Sequence, residues 1–189
     1  MSKLLRISMA LLVATALAGC PHLQEALEPI DSSTSPSEYR LGPGDRIDVV
    51  VYEEPLMSRN YLVDDTGIVS LPLVGPFQLE GLTLRETEQA LVEVLSERLK
   101  IKEPRASVNI VEYRPVFIMG EVNDPGSYPY VSGMTVLSAV AIAGGYTTRA
   151  RNKEINIVRI SDPAKTPKLA AESTLLEPGD IVKVPERFF

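Results

Sequence analysis

The chain has 189 residues, room for one medium domain or two small ones. It carries 19 Lys and Arg against 25 Asp and Glu, a formal net charge of −6, which argues against nucleic acid as a partner and against charge-driven binding to anionic lipid. The one His, His22, and the one Cys, Cys20, both fall in an N-terminal stretch read below as a tether, which leaves Ser-His-Asp, Cys-His and His-based zinc sites without their parts.

The chain opens with Lys3 and Arg6 and runs apolar from Ile7 to Ala18, ending in Leu17-Ala18-Gly19-Cys20. A basic start, an apolar stretch of about twelve residues and a small-residue cleavage site predict a secretory signal peptide over 1–19, too short to span a bilayer as a helix. The sole Cys directly after Gly19 resembles the lipobox of bacterial lipoproteins. That resemblance implies a diacylglycerol on the Cys20 sulfur, cleavage between Gly19 and Cys20, and acylation (palmitate) of the new amino group. Pro21 rather than Asp follows, which under the enteric sorting scheme favours the outer membrane. Without Lys3 and Arg6 the mature chain keeps 17 basic against 25 acidic residues.

Residues 20–38 read as the lipidated Cys and a tether. Ser32-Ser33-Thr34-Ser35-Pro36-Ser37 is polar and aperiodic, and His22 falls in the same stretch. As a coil the tether reaches roughly 25 Å.

The rest reads as an α+β chain of two small units, 39–113 and 114–189. In the first, Ile47, Val49 and Val51 alternate as in a half-buried strand. Tyr61–Val63 and Ile68–Leu71 flank Asp64-Asp65-Thr66-Gly67, which predicts a hairpin. Gly75-Pro76 and Gly81 punctuate the next stretch. Thr83-Leu84-Arg85-Glu86 matches a capping box. The helix it opens carries Leu84, Leu91, Val92, Leu95 and Leu99 on one face, with Pro104 expected to stop it. Ala106–Val111 is a further strand. In the second unit Val116–Met119 reads as a central strand, Asn123-Asp124-Pro125-Gly126 as a turn, and Tyr128–Val131 as an edge-like strand. Thr135 starts a short helix through Val136, Leu137, Val140 and Ile142, apolar nearly all round and therefore expected to be buried; Gly144-Gly145 ends it. Ile155–Ile160 and Ile181–Val184 supply later strands, an order that resembles a β-grasp.

Leu41-Gly42-Pro43-Gly44-Asp45 is echoed by Leu176-Glu177-Pro178-Gly179-Asp180. In each, Pro presets φ and Gly takes positive φ, launching a strand from a tight turn. Carboxylate pairs offer the remaining route to catalysis: Asp45 with Asp48, Glu53 with Glu54, Asp64 with Asp65. Each has a plain reading as a turn cap or a solvated loop. Trp is absent and aromatics make up 6% of residues, a poor endowment for a glycan-cleaving cleft. No enzyme, cofactor or metal site is expected.

Tyr39 to Ile47, with Gly42, Pro43, Gly44 and Asp45, then Asp65-Thr66-Gly67-Ile68-Val69 and Leu71-Pro72-Leu73-Val74-Gly75, resemble the polysaccharide biosynthesis/export domain. Gly120-Glu121-Val122 with Pro125, Gly126 and Tyr128, then Ala143-Gly144-Gly145, then Pro178-Gly179-Asp180 with Val182, Val184 and Pro185, resemble the SLBB (soluble-ligand-binding β-grasp) domain. In this order, after a lipobox, the chain resembles the Wza-type polysaccharide export lipoproteins. The resemblance implies a periplasm-facing, outer-membrane lipoprotein that assembles with itself as a ring. Capsular or exopolysaccharide would pass through, above an inner-membrane polysaccharide co-polymerase. No helix-period segment follows Val184, so a short form is expected, working with a separate outer-membrane β-barrel. The alternative is a static glycan-binding or scaffold lipoprotein, which would be a monomer or dimer.

Overall fold

The computed structural model describes residues 38–187. The predicted signal peptide, the Gly19–Cys20 cleavage and lipidation site, the tether up to Ser37 and the terminal Phe188-Phe189 lie outside these residues.

Strands β1 (Arg46–Val51), β2 (Arg59–Leu62) and β5 (Ala106–Glu112) form an antiparallel sheet of order β2-β1-β5. β3 (Ile68–Leu71) and β4 (Gly75–Gln78) form a separate hairpin. Helix α1 (Leu84–Arg98) packs beside β5. Alternation in β1 buries Ile47, Val49 and Val51 against Leu79, Leu91, Leu95 and Val108. The capping box is realised: Thr83 Oγ1 accepts from Glu86 N–H at 3.2 Å and the Glu86 carboxylate accepts from Thr83 N–H at 2.8 Å. Thr87 is buried on the helix's apolar face, and its hydroxyl is satisfied by the Thr83 carbonyl at 2.8 Å. The Glu88 carboxylate accepts the Val108 N–H at 2.9 Å, which occupies a donor on the sheet's edge strand.

The second unit holds β6 (Val116–Gly120), β7 (Gly126–Tyr128), α2 (Val136–Ile142), β8 (Ile155–Val158), β9 (Lys168–Ala170) and β10 (Ile181–Val184). Its sheet runs β7-β6-β10-β8-β9, with β6 and β10 parallel at the centre and the outer pairs antiparallel. That is a β-grasp arrangement. Val136, Ala139 and Val140 of α2 pack on Val116, Ile118, Ile155, Ile157 and Val182. The two cores share no residue, and the fold is α+β in two units.

Four expectations need correction. The Asp64–Gly67 turn does not close a hairpin between β2 and β3. β2 pairs only with β1 and β3 only with β4. The turn changes the chain's direction between two sheets, and Gly67 accepts Leu79 and Glu80 N–H through its carbonyl. Helix α2 is not buried all round: Leu137 and Ile142 are 51% and 54% exposed, because a helix on a single sheet has only one face to bury. Helix α1 ends at its C-cap Leu99, ahead of Pro104, where Lys100 turns the chain at φ +55°. Finally, Gly75-Pro76 does not merely punctuate the chain but begins strand β4; Pro76 sits there on a two-stranded hairpin, a place where a missing N–H is tolerated.

Urea denaturation checks this packing. Leu91→Ala, from a site 1% exposed, is expected to cost roughly 2–5 kcal/mol. Thr83→Ala should cost about 1 kcal/mol through the lost cap, and Leu137→Ala no more than about 0.5 kcal/mol. A Leu137→Ala loss comparable to that of Leu91→Ala would overturn the orientation of α2.

Candidate functional site

The two Pro-Gly-Asp turns meet at the joint between the units. Gly44 and Gly179 take φ +91° and +88°, as a type II turn requires. Each Asp folds back on its own turn: Asp45 Oδ2 accepts Gly42 N–H at 2.9 Å, and Asp180 Oδ2 accepts Glu177 N–H at 2.8 Å. Both Asp residues are fully buried.

Between the turns lies Arg114. Its backbone N–H donates to Asp45 Oδ1 at 2.8 Å, and its side-chain Nε–H donates to the Pro178 carbonyl at 3.0 Å. One residue thus holds the first turn through its backbone and the second through its side chain. The guanidinium also lies over the Tyr39 ring, 5.4 Å from its centroid. Gly42 and Gly179 leave the space it fills. A Cβ on Gly42 would fall on the guanidinium, and one on Gly179 would come within 3.1 Å of Nε.

The Tyr39 hydroxyl donates to both Asp45 oxygens at 2.7 Å. Burial, reinforced by this bond, pushes the phenol well above its ordinary range. Tyr113 stacks edge-on against Tyr39 and Tyr130, with centroids 5.1 and 5.4 Å away. Asp180 is less well served. Its Oδ1 has no partner, and the nearest cation pairs at 3.9 Å, from Arg159 to Oδ2. Burial pushes the Asp180 carboxyl up to about 6, against the pull of the Glu177 N–H and Arg159.

The other motif positions are spread around the frame. Gly67 occupies the β2–β3 link at φ +75°. Gly120 ends β6 at φ +89°, where a Cβ would run into the Val184 carbonyl. Pro125 and Gly126 lead into β7, and Gly144-Gly145 close α2 at φ +77° and +83°. None of these joins the Arg114 cluster. The carboxylate pairs do not converge either. Asp45 is consumed by the joint, and Asp64 by its own turn through Thr66 and Ile68. The Thr66 hydroxyl, more than any other contact, holds the Asp64 carboxyl below its usual range. Among the described residues no group of His, Cys, Asp and Glu could hold a metal ion. Tyr39 opens the first export motif, but Arg114 and its neighbour Tyr113 were missed from the sequence. Their signal was position alone, since Tyr113-Arg114 stands at the boundary between the units.

Residues 33–111 match the family described as Polysaccharide biosynthesis/export protein, and residues 115–165 match the SLBB domain. The chain carries a polysaccharide biosynthesis/export domain followed by an SLBB domain. Among similar proteins, the exopolysaccharide production protein ExoF of Rhizobium meliloti (strain 1021) is 34% identical over 148 residues, covering 72% of this chain and 32% of the relative. The EPS I polysaccharide export outer membrane protein EpsA of Ralstonia nicotianae (strain ATCC BAA-1114 / GMI1000) is 26% identical over 200 residues, covering 88% of this chain and 51% of the relative. The polysialic acid transport protein KpsD of Escherichia coli is 28% identical over 110 residues, covering 57% of this chain and 20% of the relative. The chain therefore spans about half or less of the length of these relatives.

Two substitutions test the joint and the frame separately. Asp45→Ala strands the Gly42 and Arg114 N–H groups and the Tyr39 hydroxyl, at about 1–3 kcal/mol for each buried unpaired group. It should fall among the most destabilising changes in the first unit. Gly120→Ala should destabilise more than Gly42→Ala, because backbone must yield at Gly120 and only a side-chain tip at Gly42. Thermal unfolding of the variants reads both orders.

Proposed function

We propose that this protein is a lipid-anchored, non-catalytic component of a polysaccharide export conduit in the cell envelope, assembled as a ring of identical copies. The observation that carries the reading is the succession of an export domain and an SLBB domain over residues 33–165. Relatives named for export or transport of polysaccharide support it, and so does the lipobox-like Leu17–Cys20. In this reading Cys20 bears the acyl chains. Each buried methylene contributes about 0.8 kcal/mol, so two or three chains hold the protein at the membrane durably. EpsA is named an outer membrane protein, and the reading places this chain on that membrane, facing the periplasm. Among the described residues no helix is long and apolar enough to cross a membrane. As partners the reading takes an outer-membrane β-barrel and, at the inner membrane, a polysaccharide co-polymerase.

Three measurements on the full-length protein test this. Light scattering of the detergent-solubilised protein should show a discrete assembly of many copies; a monomer or dimer would favour a static glycan-binding scaffold instead. Deleting the gene should abolish surface polysaccharide. Metabolic labelling with a clickable palmitate should mark the wild type and not Cys20→Ser, and equal labelling of both would refute the anchor.

A further inference from the structure

Asp180 is the one carboxylate of the joint that its surroundings leave half-satisfied. It is fully buried, Oδ2 is held by the Glu177 N–H at 2.8 Å, and Oδ1 has no hydrogen-bond partner. The groups facing it come from every element around the turn. Glu177 lies in the same turn, Arg159 follows β8, Arg114 precedes β6, and Tyr130 follows β7. Arg159 is shared, because it also pairs with the Glu177 carboxylate and donates to the Leu175 carbonyl at 3.1 Å. The same turn carries the contact between the units, since Pro178 accepts Arg114 Nε–H. It also aligns the central strands: the Asp180 carbonyl accepts Phe117 N–H at 2.9 Å.

We propose that the joint is a proton-sensitive hinge, closed when Asp180 is protonated and loosened when Asp180 is ionised. A buried carboxylate with a free oxygen is costly, and two events relieve it. Either it takes up a proton, or the turn opens to water and draws Pro178 away from Arg114. The raised affinity of Asp180 for its proton, near pH 6 against an ordinary value of 3.8, sets the direction. The closed joint binds the proton more tightly than the opened one. Its stabilisation is therefore complete below about pH 4 and is lost as pH rises through about 6. Acid firms the angle between the export and SLBB units; neutral pH frees it.

Hydrogen–deuterium exchange on the full chain tests this, with rates corrected for the intrinsic pH dependence of amide exchange. Protection of segments 114–118 and 176–182 should rise about tenfold between pH 7.5 and 5, with the rise setting in near pH 6. Protection of α1 should stay level. Asp180→Asn should give high protection at both pH values. Histidine is the side chain whose ordinary titration falls in this range, so His22→Asn must leave the response intact. Glu177→Gln removes the like charge and frees Arg159, moving the onset to lower pH; this arm decides the matter even if Asp180→Asn does not fold. Flat protection in the wild type, a response that survives Asp180→Asn, or an unmoved onset in Glu177→Gln would each overturn the hinge.

Discussion

The structure turns on one side chain. Arg114 is held by Asp45 through its backbone and holds Pro178 through its guanidinium. The two units have separate cores, and only Tyr113, Arg114 and Pro115 separate β5 from β6. Such a short connection leaves two dihedrals per residue to set the angle between two domains, too few contacts to fix it alone. A guanidinium is suited to the task because it is planar, always charged and rich in directed donors. It can satisfy a carbonyl with one edge while its face rests on Tyr39. The glycines at 42 and 179 then have a steric purpose beyond turn geometry, since any larger residue would compete with the arginine for the same volume.

The two turns look alike in sequence and differ in electrostatic condition. Asp45 accepts from two backbone amides and one hydroxyl, a complete set of partners for a buried carboxylate. Asp180 accepts from one amide and shares a distant arginine. The difference arises from what each turn packs against. The first is covered by the incoming chain at Tyr39, which brings a hydroxyl; the second is covered by Arg114 and Ile160, which bring no further donor to Oδ1. One motif thus yields a rigid anchor in one unit and a titratable one in the other.

What was legible in the sequence was local. The Thr83 and Thr135 caps, the positive-φ glycines of both Pro-Gly-Asp turns and the alternation of β1 follow from interactions within a few residues. Two of the failures were of partner choice. Asp64-Asp65-Thr66-Gly67 has hairpin chemistry, but whether the flanking strands pair depends on β1 and β4 competing for them. Leu137 is as apolar as Val136; only the position of the sheet decides which of them is covered. The Arg114 latch joins residues 69 and 64 positions away, and no periodicity carries information over such a span. It also falls between the matched segments 33–111 and 115–165, with Pro178 beyond the second, so neither domain pattern contains it. The joint is a property of the pair of domains and of their order.

The placement of the aromatic residues bears on the conduit reading. Protein surfaces that grip sugars commonly offer exposed aromatic faces, and this chain has seven Tyr and no Trp. Tyr39, Tyr113 and Tyr130 stack with one another at the joint. Tyr61 is buried, with its hydroxyl on the Met57 carbonyl, and Tyr128 and Tyr146 direct theirs to Asp124 and Glu172. Among the described residues this leaves Tyr52, 67% exposed, and Phe117, 42% exposed, on different units. Two isolated rings make a weak platform. In the proposed conduit, a polymer moving past such a surface would meet few aromatic sites that bind it tightly. Retention at each site would multiply along the path and slow transport, so a surface that spends its aromatics on holding its own units together suits passage better than capture.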